Sequence, residues 1–153
     1  MARHLALIAH DNKKVDFVAW ATYNRETLAQ FNLVATRHTA QLVRDKVGLE
    51  IDELLSGPEG GDAQIAALVA TGAVDVVFFF VDPLWAQPHD PDIRALLRVC
   101  NVHNVPVATN LATADLFEVR MKVTNCGIDF EGGIPRVEFL KLIKNNGIDF
   151  WNF

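Results

Sequence analysis

An acid set directly behind two glycines, in Ser56-Gly57-Pro58-Glu59-Gly60-Gly61-Asp62, joins an anion cradle to a proton acceptor. Three glycines within five residues let the main chain approach a ligand closely and offer it several N–H groups. The apolar residues that follow, Ile65, Leu68 and Val69, recur at helical spacing, so Asp62 is expected at a helix N-terminus. Free N–H groups and the positive end of the helix dipole suit a phosphate there, and the acid beside them can take a proton from whatever carries it. The same residues also fit a plain loop in which Asp62 caps the helix.

Such a site needs a frame, and apolar runs of strand character alternate with segments of helical period along the chain. The strand-like runs are Leu5 to Ala9, Leu33 to Ala35, Val74 to Val81 and Val105 to Ala108, with a shorter one at Ile51 to Leu55. Val76 to Val81 shows no alternation, as expected of a strand buried on both faces. Helices are expected from Lys13 to Ala29, Thr39 to Val47, Asp62 to Thr71, Pro91 to His103 and Thr113 to Met121. In the fourth, Ile93, Leu96, Leu97 and Cys100 follow an i, i+3, i+4, i+7 pattern behind Pro91. This alternation predicts an α/β fold: a single doubly wound domain with a mainly parallel five-stranded sheet and helices on both faces.

Ligands of such sheets bind outside the carboxyl ends of the strands. His10-Asp11-Asn12-Lys13-Lys14, Thr36-Arg37-His38-Thr39, Ser56 to Asp62, Asp82-Pro83 running on to His89-Asp90-Pro91-Asp92, and Thr109-Asn110 all follow strand-like runs. Five loops on one edge are expected to form a single pocket. Each cluster also has a plainer explanation. Asp11 could cap a turn, Lys14 could be a solvated surface lysine, and Thr36 and Thr39 could cap the next helix. Asp90-Pro91 is good helix-start chemistry, and one histidine among acids does not have zinc-ligand spacing. No metal is expected. His4, His38 and His103 do not read as ligands, and Cys100 reads as a small core residue.

The 153 residues are half apolar with a net charge of −5, enough for a proper core in one domain. An acidic chain without a block of lysines or arginines is a poor nucleic-acid or anionic-membrane binder. No stretch reaches the roughly 18 apolar residues of a membrane helix, and Met1-Ala2-Arg3-His4 leads to a strand without a signal-peptide pattern. Cys100 and Cys126 form no CxxC, so a cytoplasmic location is the expectation.

Leu7-Ile8-Ala9-His10-Asp11 with Lys14, Ser56-Gly57-Pro58 with Gly60-Gly61-Asp62, Asp82-Pro83-Leu84, Pro88-His89-Asp90-Pro91-Asp92 and Val107-Ala108-Thr109-Asn110 together resemble methylglyoxal synthase. The resemblance runs from about Arg3 to Asp115, giving a core over 3–115 and a divergent segment over 116–153 within one domain of residues 1–153. It implies a phosphate-eliminating lyase that converts dihydroxyacetone phosphate to methylglyoxal and inorganic phosphate through an enediolate. It also implies no cofactor, a homohexamer, and allosteric inhibition by phosphate. Asp62 matches the family's general base, His10 and His89 the groups near the enediolate oxygens, and Asp92 a second acid that orients His89 or relays a proton. Lys14, Thr36, Thr39, Ser56 and the backbone of Gly57 match the phosphate-binding positions. Desolvation would raise the pKa of Asp62 and a helix N-terminus would lower it, two opposed effects.

Two departures stand out. The family's second loop reads Thr-Gly-Thr-Thr-Gly, whereas this chain has Thr36-Arg37-His38-Thr39-Ala40. If the first glycine required positive φ, Arg37 would strain the loop by about 1 kcal/mol or more. Arg37 and His38 would put cationic groups beside the phosphate, where they strengthen binding, alter regulation or block substrate; altered regulation fits best, since the base and other donors are intact. Beyond Asp115 the chain follows no family pattern. Gly127-Ile128-Asp129-Phe130 is echoed at Gly147-Ile148-Asp149-Phe150, Glu138 to Lys144 reads as a short amphipathic helix, and Phe150-Trp151-Asn152-Phe153 fits packing back onto the domain. The alternative function is a non-catalytic module of the same fold that binds a phosphorylated ligand. Asp62, His89 and Asp92 together favour the lyase, because a pure phosphate binder has no use for uncompensated carboxylates.

Overall fold

A computed structural model describes residues 3–117. Five strands, β1 (His4–Ala9), β2 (Asn32–Thr36), β3 (Asp52–Leu54), β4 (Val76–Phe80) and β5 (Val107–Ala108), form one sheet in the order β3-β2-β1-β4-β5. Every pairing is parallel, so the expected mainly parallel sheet is wholly so over these residues. The chain leaves β1 toward β2 and β3, then crosses back to place β4 and β5 on the other side. The switch point therefore lies at the carboxyl ends of β1 and β4, in register at Ala9 and Phe80.

The helices are α1 (Lys14–Tyr23), α2 (Arg25–Leu28), α3 (Arg37–Leu42), α4 (Gly61–Ala70) and α5 (Asp90–Val102), and residues 111–117 are also helical. Alternation along the strands sends side chains to both helical layers. Ala6, Ile8, Val77 and Phe79 join Ile65 and Val69 of α4 and Ile93, Leu96 and Cys100 of α5 in one core. On the other face, Phe80 meets Phe17 of α1 with ring centroids 5.4 Å apart, and Phe78 meets Trp20 at 4.9 Å. Each of these buried side chains contributes about 1.5–3 kcal/mol by leaving water. Among the described residues, no helix is long and apolar enough to cross a membrane.

Several expected boundaries shift. The helix expected over Lys13 to Ala29 is interrupted at Asn24, which is buried and whose side-chain amide donates to the Trp20 carbonyl at 3.0 Å. A side chain that takes up a main-chain acceptor competes with helix continuation. The helix expected from Thr39 begins at Arg37 and widens into a π turn over Val43–Val47, which Gly48 ends at φ 72°. Val74 is buried without being strand, and β5 is two residues long. The Gly-Ile-Asp-Phe echo, the amphipathic helix expected over Glu138 to Lys144, the aromatic segment Phe150 to Phe153 and the end of the helix expected to reach Met121 lie outside the described residues.

Candidate active site

The loops after β1, β2 and β3, the start of α4 and the loop before α5 enclose a cleft of about 150 Å³. His10, Lys14, Thr36, His38, Thr39, Ser56, Gly57, Asp62 and His89 line it, with Asp11 and Gln87 beside them. Thr109 and Asn110 do not. They border a separate cavity of about 670 Å³ on the β4–β5 side, so the expected single pocket of five loops is corrected to two. β5 is the outer strand beyond β4, across the sheet from β2 and β3. Asn110 also has local work, accepting from the Thr113 N–H and hydroxyl at the start of helix 111–117.

Asp62 occupies the second position of α4, where Gly60 is the N-cap at φ 103°. Its carboxylate caps nothing, which removes the plain capping role. Gly61 is held against β3 so tightly that a Cβ there would lie 2.1 Å from the Leu55 carbonyl oxygen. Its own N–H donates to the Ser56 carbonyl at 2.8 Å, and Ile65 and Val69 anchor the helix in the core. These contacts drive the acid inward until it is 1% exposed, and neither of its oxygens finds a hydrogen-bond partner among the described residues. His89 Nε2 lies 3.4 Å from Oδ2. Burial pushes the Asp62 carboxyl above its ordinary value, the nearby His89 pulls it back, and the negative Asp92 adds to the rise. Burial is the largest of these influences, so the net shift is upward.

His10 follows β1, and its Nδ1 accepts the Asp82 backbone N–H at 2.9 Å. An accepting Nδ1 places the ring proton on Nε2, which has no partner among the described residues. Burial, then the charge of His89, hold the His10 pKa below its ordinary value, against Asp82 and Asp11. A neutral imidazole with a free Nε2–H is thereby presented beside the acid. Its ring stands edge-on to His89, with centroids 6.2 Å apart. Asp82 is fixed in turn by the Asn12 amide at 2.7 Å and the Leu84 N–H at 3.0 Å, bonds that keep its carboxyl below the usual range.

At the other end of the cleft, Thr36 Oγ1 donates to Thr39 Oγ1 at 3.3 Å, and the latter accepts the Ala9 N–H. Neither threonine caps α3. Lys14 is ion-paired with Asp11, three residues earlier. At Gly57 a Cβ would crowd the reactive groups, lying 2.8 Å from His89 Nε2 and 3.4 Å from Asp62 Oδ2.

Two predicted site residues are placed differently. Arg37 does not line the cleft; its guanidinium bonds Glu59 at 2.8 Å and reaches Glu53 at 3.7 Å. It opens α3 in ordinary helical backbone, so the expected loop strain is absent. Asp92 also lies outside the lining, and its side chain makes no hydrogen bond to His89; its influence on the site is the field it exerts on Asp62. Glu59, Gln87 and Asp11 lie in loops expected to form the pocket, but no role of their own was expected of them. Glu59 had a signal, the Ser-x-x-Glu spacing of Ser56 to Glu59. Among the described residues no three His, Cys, Asp or Glu side chains gather as a metal site.

A family model described as the MGS-like domain matches residues 16–109. Methylglyoxal synthase from Clostridium botulinum (strain Alaska E43 / Type E3) is 54% identical over 112 residues, 73% of this chain and 94% of that protein. The chain belongs to the methylglyoxal synthase family. A second member, methylglyoxal synthase from Carboxydothermus hydrogenoformans, is 55% identical over 113 residues, 74% of this chain and 93% of its own length. Among solved structures, methylglyoxal synthase from Elizabethkingia anophelis NUHP1 superposes with a TM-score of 0.72 at 43% identity, covering 76% of this chain and 77% of that one. The fold is thus shared with a solved member of the family.

Proposed function

We propose that this chain is an enzyme that eliminates phosphate from dihydroxyacetone phosphate to give methylglyoxal. The observation that carries the reading is a buried, unpartnered carboxylate, Asp62, facing a neutral histidine donor across a cleft whose far end is rich in hydroxyl, ammonium and main-chain donors. Asp62 removes a proton from the hydroxymethyl carbon. The Nε2–H of His10, with His89, donates to the oxygens on which charge builds as the enediolate forms. The former hydroxymethyl oxygen then gives up its proton and becomes an aldehyde carbonyl, the double bond shifts to join the central carbon to the phosphate-bearing carbon, and the bond from that carbon to the phosphate oxygen breaks. The released enol takes a proton on its methylene carbon and becomes methylglyoxal.

Lys14, Thr36, His38, Thr39, Ser56 and the Gly57 main chain hold the phosphate. Their second duty is to keep its C–O bond out of the enediolate plane, where the π electrons can expel it, and to stabilise the growing charge on the leaving group. Asp92 tunes Asp62 electrostatically, and no cofactor enters the reaction. The assembly is a cytoplasmic homo-oligomer, a hexamer by family resemblance, with inorganic phosphate as product and inhibitor.

Incubation with dihydroxyacetone phosphate in excess chelator, with methylglyoxal and phosphate assayed together, tests the reading. Equal release of both is expected. Phosphate with dihydroxyacetone indicates a phosphatase, and binding without release indicates a non-catalytic module; either overturns it.

A further inference from the structure

Ser56 lines the cleft and is buried, yet its single hydroxyl proton is already committed: Oγ donates to Glu59 Oε2 at 2.7 Å. Arg37 Nη1 donates to the same Glu59 oxygen at 2.8 Å. The hydroxyl therefore faces a carboxylate that bonds it as a phosphate oxygen would, through a charge-assisted bond. The ionised oxygens of a phosphate are acceptors, so for one of them to bind the Ser56 hydroxyl it must take that proton away from Glu59.

The loop does not need the Glu59 side chain to hold its shape. The Ser56 carbonyl accepts the Glu59 N–H at 3.1 Å and the Gly61 N–H at 2.8 Å, and the Gly57 carbonyl accepts the Gly60 N–H at 3.0 Å. Main chain alone closes the turn. The Glu59 side chain is 53% exposed and that of Arg37 36%, so neither is packed into the core. What the pair does is keep a negative oxygen on the Ser56 hydroxyl, with Arg37 anchoring it from the start of α3.

We propose that Glu59 is a tethered competitor of the substrate's phosphate for the Ser56 hydroxyl, held at its post by Arg37. This rests on the reading of the cleft as a site for a phosphorylated triose. Phosphate binding then proceeds by exchange: the Ser56 proton swings from Glu59 to the ligand, and Arg37 keeps the vacated carboxylate neutralised. Glu59 and Arg37 are positioning residues that set KM and phosphate inhibition and leave the chemical step alone.

The test measures KM for dihydroxyacetone phosphate, kcat, and the Kd of inorganic phosphate by calorimetry. Glu59→Ala is expected to lower KM and Kd about ten-fold with kcat within about two-fold. Glu59→Gln, which keeps a weaker neutral acceptor, is expected to fall between wild type and Glu59→Ala. Arg37→Ala leaves the Glu59 charge uncompensated and is expected to raise both constants several-fold, an effect lost when Glu59→Ala is also present. In a Ser56→Ala background, Glu59→Ala is expected to change neither constant. If Ser56→Ala weakens phosphate binding while Glu59→Ala leaves it within two-fold, the competitor role is overturned and the phosphate-site reading stands. Tightening that survives Ser56→Ala overturns it as well, since charge removal alone then suffices. If Ser56→Ala leaves KM and Kd unchanged, the assignment of Ser56 to the phosphate is overturned.

Discussion

The two ends of the cleft are built on opposite terms. At one end, Asp62 and His10 each keep buried polar atoms without a hydrogen-bond partner among the described residues, and His89 Nδ1 does the same. At the other, Lys14 is paired with Asp11, Thr36 with Thr39, and Ser56 with Glu59. Leaving a buried polar atom unsatisfied costs about 1–3 kcal/mol, so the first end holds destabilised groups ready for a reacting molecule. The second end is satisfied when empty and must exchange its bonds to bind. Rate should therefore live at the dry end and affinity at the paired end.

The sharpest way to break this division is Asp62→Asn. Removing the base is expected to lower kcat by three or more orders of magnitude while the Kd of inorganic phosphate stays within a few-fold, measured by steady-state kinetics and calorimetry. The same variant is expected to melt a few degrees higher at neutral pH, because a buried carboxyl without a hydrogen bond among the described residues no longer sits in the interior. The sign follows from the raised pKa. The folded state favours the protonated acid, so Asp62 costs stability as pH rises through its folded value, and the gain vanishes below the ordinary carboxylate range. The rate runs the other way: kcat/KM of the wild type is expected to fall on the acid side at a pH above that of an ordinary carboxylate.

A smaller effect is expected from His10→Ala, about 10²- to 10³-fold in kcat, as for loss of one donor to a developing oxyanion. Gly57→Ala comes next. Its methyl would enter between His89 and Asp62, and a loss of about 10²-fold in kcat with unchanged melting would show that spacing, not folding, was disturbed. The mildest is Thr39→Val at the paired end, expected to raise KM several-fold with kcat nearly unchanged; a large fall in kcat there would erase the division between the two ends.

Much of this was legible from local pattern. Gly60-Gly61-Asp62 followed by Ile65 and Val69 places an acid on the first turn of a core helix, and α4 carries it there. The unbroken apolar run from Val76 marks an interior strand, as β4 is. What stayed hidden depends on contacts distant in sequence. The donor to His10 Nδ1 is the amide of residue 82, and the partner of Arg37 is Glu59, 22 positions on. Arg37 read locally is a cation added to a phosphate loop; in space its charge is already engaged. Loop convergence was overcounted because strand order, which sequence does not print, sets β5 on the far side of the switch point.

The bond that fixes His10 comes from a main-chain amide rather than a side chain. Among single replacements of Asp82, only proline would delete that donor, so the imidazole's proton position is tied to the alignment of two neighbouring strands. Slippage of β4 against β1 would move the amide and let the ring exchange tautomers. A ¹⁵N signal from the His10 ring thus serves as a gauge of strand registry at the heart of the sheet.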